Sequence, residues 1–472
     1  MPATSKHLAS PAEKRSRNQE QVNFFPVLIG KTDQKFSRIF VFLLGLLITL
    51  IPLLLRSRAA LISPYDELYH LSYIQYAYEW RIPRPGNPLN TWSREIFDCF
   101  PVHPWGAVTG NECGNPGPIS SYPEGGGSTA ANWPPIYYFT IAILLRPLSL
   151  FFSSPLFAAR FAGVLIWSIG TQCLVTQTSR ISNAQSNLLT SGKRTTGDWK
   201  VRLTISMLFG VLPLAYHHAS FVSPYSFAPL AAAIALAAIR KIRSHLTLAT
   251  VSSTVALILP HALPIILAAA STSVALGRST HRSALANRRN GLSFRTLDRY
   301  SRQLVFCGAF ALAYKGWTFL QFSLRASRWD PGINQAAMTQ YGDLSFNVGT
   351  ARSRLWSFIP EGIWTHQFQD QLEYFFSYSW GLIALVCLGI ALNTSSNNKL
   401  FGASIVIFGT GYSIFLATQL DYNIPSRYGI MVVVTWISFA LNHVGHRFQV
   451  VLFIAAAATY IQLFSHYPLS VG

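Results

Sequence analysis

Residues 134–152 read PPIYYFTIAILLRPLSLFF, and the placement of this stretch sets the orientation of every helix after it. It is apolar enough to cross a bilayer, yet Arg146 and Pro147 interrupt it. If it crosses, the basic loop 179–202, with Arg180, Lys193, Arg194, Lys200 and Arg202, falls outside and every later loop flips with it. If it lies in or dips into the outer face, that loop is inside, where positive loops belong. The second placement sorts the charges. Its cytoplasmic segments collect 24 of the 37 Lys and Arg and 5 of the 18 acids, which accounts for the whole net charge of +19. The basic residues are then orientation signals and contacts to anionic lipid. Nucleic acid is excluded as a partner, since no RNA- or DNA-binding motif is present.

Working outward, the composition points the same way. Of 472 residues, 50% are hydrophobic and 12% charged, where soluble domains carry about 25% charge. Apolar stretches recur at 39–56, 157–178, 203–217, 225–239, 247–260, 262–276, 303–320, 375–392, 401–418, 428–443 and 449–465. Several fall short of the ~20 residues of a straight span, so their ends are soft. The expectation is an all-α fold, a polytopic transmembrane bundle of about 11 spans. The N-terminus is inside and the C-terminus outside. Residues 1–36 are polar and basic and read as a disordered cytoplasmic tail. They lack the short apolar core and small-residue cleavage site of a signal peptide. Residues 37–472 are the transmembrane domain. Loops 57–156 and 321–374 are large and extracytoplasmic, and the first carries interfacial helices.

The first outer loop is too long for a mere connection. It opens on Ser63–Trp80, SPYDELYHLSYIQYAYEW. On a helix Asp66 and His70 stand at i and i+4, and Glu67 and His70 at i and i+3, so the three share a face. Ser63 suits the cap and Pro64 the first turn. Five tyrosines and Trp80 are residues of the membrane–water interface. The picture is a helix on the membrane with an acidic patch facing water. Like charges side by side raise one pKa, which suits a general base or a metal site. The competing reading is a capping box, Ser63-x-x-Asp66, in which Asp66 serves only the helix start.

Other outer residues carry weaker signals. Cys99 and Cys113 lie on the oxidising side, where a loop disulfide competes with two free thiols. Cys173, Cys307 and Cys387 lie within spans as small apolar residues. Gly125-Gly126-Gly127 reads as a flexible link, with no lysine or helix start at the spacing of a phosphate loop. His217 and His218 end a span, but adjacent histidines project apart and chelate poorly. Arg427 and Tyr428 open a late span at its outer end, where a guanidinium either clamps a lipid phosphate in two-pronged fashion or snorkels to headgroups. Arg325, Arg328, Arg352 and Arg354 are alternative phosphate binders.

A first span followed by an outer loop opening on Asp-Glu resembles the GT-C class of integral-membrane glycosyltransferases, and is closest to its actinobacterial members. Asp66-Glu67-x-x-His70 resembles the acid motif. Asn132-Trp-Pro-Pro-Ile-Tyr-Tyr138 is similar to the class's Pro-Pro-Leu-Tyr-Tyr element, a helix beside the membrane. Ala158-Ala-Arg-Phe-Ala-Gly163 resembles the start of the second span, Phe221-Val-Ser-Pro-Tyr225 a Val-Ser-Pro-Asp turn, and Arg427-Tyr428 a late Arg-Tyr pair. The resemblance implies a polyprenyl-phosphate-linked sugar as donor and a hydroxyl of a glycan, lipid or protein as acceptor. Asp66 is then the general base, with Glu67 and His70 supporting it or binding the acceptor, and Arg427 holds the donor phosphate. Trp133, Tyr137, His217, Tyr225 and Tyr428 complete the substrate-binding set, with Trp80, Trp92 and Trp105 as further faces for sugar rings. Two positions depart from the class. Trp133 stands where His or Lys precedes the prolines, and Tyr225 stands where Asp is usual. The second departure removes the carboxylate on which a divalent-metal site would be built, so the cofactor stays open. The same features leave a transporter or flippase for a lipid-linked glycan as one alternative. A non-catalytic binding protein of this class is the other.

Overall fold

The computed structural model describes residues 31–58, 62, 67–101, 111–189, 198–212, 215, 218–242, 244–259, 294–324, 435, 437–438, 441–442 and 446–466. Among them the structure is all-α, with short 3-10 turns and no strand beyond an isolated bridge between Pro88 and Gly127. The helices are α1 (Lys31–Ser57), α2 (Glu67–Tyr78), α3 (Thr91–Cys99), α4 (Ile136–Leu148), α5 (Pro155–Leu189), α6 (Asp198–Val211), α7 (Ala228–Lys241), α8 (His245–Ile258), α9 (Phe294–Ser323) and α10 (His446–His466). The chain divides into Met1–Leu43 and Leu44–Gly472. The described part of the first is the beginning of α1, which starts at Lys31, ahead of the expected end of the tail at residue 36.

Helix ends follow hydrogen bonding rather than the edge of the apolar window. Ser244 caps α8 by accepting from the Thr247 amide, so that helix starts before the expected residue 247. Helix α9 starts at Phe294, ahead of the expected 303–320. Helix α6 starts at Asp198 and ends at Val211, earlier at both ends than the expected 203–217. The expected spans 262–276, 375–392 and 401–418 lie outside the described residues, as does most of 428–443.

Among the described residues two helices are long and apolar enough to cross a membrane: Ile39–Ser57 within α1 and Pro155–Arg180 within α5. On α1, Leu47, Ile51 and Leu55 recur every four residues and are about half exposed, whereas Thr49, Leu53 and Arg56 on the other side are buried. An apolar row left outside the packing is what a hydrocarbon solvent favours. Helix α4, at 13 residues, is about 20 Å long and too short for a hydrocarbon core of about 30 Å.

Helix α5 is the central mast. It packs on α4, α6 and α7, while α8 pairs with α7 and α9, and α6 with α10. Close approach is licensed by small residues. A Cβ on Gly170 would meet the Leu230 backbone nitrogen of α7 at 2.5 Å. Helices α2, α3 and α4 pack together beside the mast, α2 touching both of the others and α4 reaching α5. Asn90 ties this layer: its side chain caps α3 by accepting from the Ser93 amide and donates to the Ser72 carbonyl of α2 at 2.5 Å.

Gly125-Gly126-Gly127 is a packed turn rather than a flexible link. Gly125 and Gly126 sit at φ +63° and +76°, in the left-handed region that favours glycine. A side chain on Gly126 would strike Ile119. The Gly126 carbonyl accepts from the Leu89 amide at 2.7 Å. The sequence shows three glycines, and only the fold shows that the middle one is crowded.

Candidate functional site

Glu67 is the first described residue of α2, and it does not face water. The helix is enclosed almost all round, with Glu67, Leu68, Tyr69, His70, Leu71, Ser72, Tyr73, Ile74 and Ala77 buried. Glu67 is 1% exposed and Arg160 of α5 is 0% exposed. The two form a two-pronged pair, Arg160 Nε donating to Glu67 Oε1 and Nη2 to Oε2, each at 2.8 Å. The Val222 amide also donates to Oε1 at 2.8 Å. Arg160 Nη1 reaches the Ser57 carbonyl at the end of α1 at 3.3 Å. The Phe221 ring lies under the guanidinium, 4.8 Å from its Cζ. The expected water-facing acidic patch is therefore corrected for Glu67. Two charges removed from water need each other and further hydrogen bonds to offset desolvation, and this node supplies both.

One turn along α2, His70 is buried and its Nδ1 lies 2.8 Å from the Tyr138 hydroxyl of α4. Tyr73 stacks on the Tyr138 ring with centroids 3.7 Å apart. The Trp133 indole stands edge-on to His70 and to Tyr225, each at 5.6 Å. His218 stands edge-on to the far partner, Tyr225, at 5.4 Å. Tyr137 packs against Tyr138 and Phe227. Burial pushes the phenols of Tyr73 and Tyr137 far above their ordinary value, and for Tyr137 the Glu67 carboxylate adds to the effect. Both stay protonated at any physiological pH. The approach to Trp133 is held from another helix, Trp317 Nε1 of α9 donating to the Asn132 carbonyl at 3.1 Å.

The structure thus brings Glu67, His70, Trp133, Tyr137 and Tyr225 into one cluster. Asp66, His217, Arg427 and Tyr428 lie outside the described residues, as does Trp105. The other tryptophans are elsewhere: Trp92 packs on Tyr78, and Trp80 is an exposed rim residue at φ +59°. Arg146 steadies that rim, donating to the Tyr78 carbonyl and lying over the Tyr78 and Trp80 rings at 4.9 and 5.2 Å. Cys99 and Cys113 are joined as a disulfide. Beside it Asp98 accepts from the Tyr122 hydroxyl at 2.5 Å and from Asn111 at 3.2 Å. Burial, then the Asp98 hydrogen bond and charge, push the Tyr122 phenol up to about 12.

Among the described residues no group of three or more His, Cys, Asp or Glu is placed to hold a metal. Sequence reasoning missed Arg160, Tyr138 and His218 as members of the site. For Arg160 a signal was present, a cation inside an apolar span, which demands a buried partner. The chain matches no family model and no curated protein.

Proposed function

We propose that the protein is a multi-pass glycosyltransferase of the cell membrane, with about 11 spans, its N-terminus in the cytoplasm and its site on the extracytoplasmic side. It moves a sugar from a polyprenyl-phosphate donor to an acceptor hydroxyl on a glycan, lipid or protein. One observation carries this reading. Four stretches that resemble GT-C motifs, scattered between Glu67 and Tyr225, meet in a single buried neighbourhood through the Glu67–Arg160–Val222 node and the His70–Tyr138–Trp133–Tyr225 contacts.

In the proposed reaction Asp66 accepts the proton of the acceptor hydroxyl. The oxygen attacks the anomeric carbon, a new glycosidic bond forms, and the bond from that carbon to the phosphate oxygen breaks. Polyprenyl phosphate leaves with the electron pair. A phosphate leaving group needs charge stabilisation more than protonation, so one base and one cation, Arg427, suffice. Trp133, partly exposed, offers its ring to the sugar, with the buried Tyr225 packed behind it.

Reconstituted protein supplied with radiolabelled polyprenyl-phosphate sugars and membrane acceptors tests this. Asp66→Asn is expected to abolish transfer while leaving insertion and abundance unchanged. Full activity in that variant overturns the assignment of the base. A non-catalytic binding role is favoured by the rings at 133 and 225, where the class has charged groups. Tight binding of the donor without any turnover would establish that second reading.

A further inference from the structure

We infer that Arg160 is a positioning residue: its ion pair with Glu67 is a latch that sets the α2 first turn and the Phe221–Tyr225 turn against each other, and so fixes the spacing of the aromatic–histidine cluster. The inference rests on the proposed reaction for its consequence in transfer, but its geometric content stands apart from it.

Four segments meet at this pair: the end of α1 through the Ser57 carbonyl, the start of α2 through Glu67, the mast through Arg160, and the turn before Tyr225 through the Val222 amide. Each prong has one geometry. A guanidinium fork fits a carboxylate in a single plane, so it fixes orientation as well as distance. The Val222 bond then holds the turn that carries Tyr225, whose ring contacts Trp133 and His218. The His70 ring, three residues on from Glu67, closes the cluster from the other side.

Stability alone does not call for this pair. A buried ion pair exchanged for well-packed apolar side chains of similar volume often leaves stability equal or raised. What such an exchange loses is the directional bond to Val222. Glu67 is accordingly assigned here to holding geometry rather than to taking a proton, since its two oxygens are already occupied by Arg160 and Val222.

The test uses full-length protein in lipid nanodiscs and compares the parent with the double variant Glu67→Met/Arg160→Met. Three readings are taken: the melting temperature, hydrogen exchange over residues 218–227, and sugar transfer. The expected result is a melting temperature well above that of Arg160→Met alone and close to the parent's. Exchange at Val222 should be at least about tenfold faster, with α5 amides still protected. Turnover should fall about 100-fold with KM little changed, because reacting groups are misplaced rather than unbound. Parental exchange and parental turnover in the double variant overturn the latch. Should the double variant fail to fold, Arg160→Lys decides. It keeps the charge and loses the fork, so faster Val222 exchange is expected, and unchanged exchange overturns the proposal. A parent that transfers no sugar ends the glycosyltransferase reading, and the exchange measurement still decides the latch.

Discussion

Two of the buried polar nodes on helix α5, at Arg160 and at Gln172, stand 12 residues and about 18 Å apart, and they are built differently. At Arg160 the node is charged and two-pronged, and its partners come from the segments that carry the site. At Gln172 it is neutral. The carboxamide donates to the Thr49 hydroxyl of α1 at 3.2 Å and to Ser206 of α6 at 3.0 Å, and accepts from Ser206 at 3.1 Å. Thr49 and Ser206 also bond backbone carbonyls, so each hydroxyl keeps an acceptor if Gln172 is removed. The neutral node is ordinary glue between helices. The charged node is costlier to break, because removing either partner takes the two-pronged counter-charge from a group held away from water.

That contrast is broken or sharpened by substitution, and the largest effect is expected at the charged node. Arg160→Met alone takes the guanidinium fork from the buried Glu67 carboxylate, and a loss of about 3–5 kcal/mol is expected by thermal denaturation in detergent. Pairing it with Glu67→Met should recover most of that loss. Between the nodes, Gly170→Ala pushes a methyl group into the α7 backbone at Leu230, which cannot rotate aside. About 1–3 kcal/mol is expected in the same measurement. Gly45→Ala presses instead on the Gln172 carboxamide, a movable side chain, and should cost less than Gly170→Ala.

At the neutral node, Gln172→Leu is expected to cost about 1 kcal/mol. A loss there as large as that of Arg160→Met would erase the distinction between the two nodes. Tyr138→Phe removes the hydroxyl partner of His70 and should cost about 1 kcal/mol of stability. Its effect on sugar transfer is expected to exceed that of Gln172→Leu, since only the first touches the cluster.

The smallest effect is a pH effect beside the disulfide, remote from both nodes. The Tyr122 phenol stands at about 12 against an ordinary 10.0, so its protonated form is favoured by folding. The stabilisation is present in full below pH 10 and is lost as pH rises toward 12. Absorbance titration of phenolate should show a late component near pH 12 that disappears in Tyr122→Phe, with melting at pH 8 only slightly lowered.

Much of the helical layout was legible in the sequence, because apolar windows report where a chain avoids water. Their ends were less so. The start of α9 at Phe294 lies in an Arg-rich stretch with no apolar signal. The candidate site was legible as a set of motifs but not as a set of contacts. The i, i+3 spacing of Glu67 and His70 correctly puts both on α2, yet it carries no information about what that face meets. Glu67 meets an arginine 93 residues away, and His70 a tyrosine 68 residues away. Trp133 and Tyr225 looked like two separate departures, and they are neighbours.

By itself the sequence determined the all-helical character and the lopsided charge, because burial of apolar side chains and the sorting of Lys and Arg depend on composition along the chain. It also supplied Glu67, His70, Trp133, Tyr137 and Tyr225 of the cluster, but not Arg160, Tyr138 or His218. Only the tertiary structure decided that Glu67 is enclosed and paired with Arg160, that the triple glycine is a packed turn, and that distant rings share one neighbourhood. The physical reason is range: hydropathy and helix spacing act over a few residues, whereas the partner that makes a buried charge tolerable is chosen by how helices pack in space.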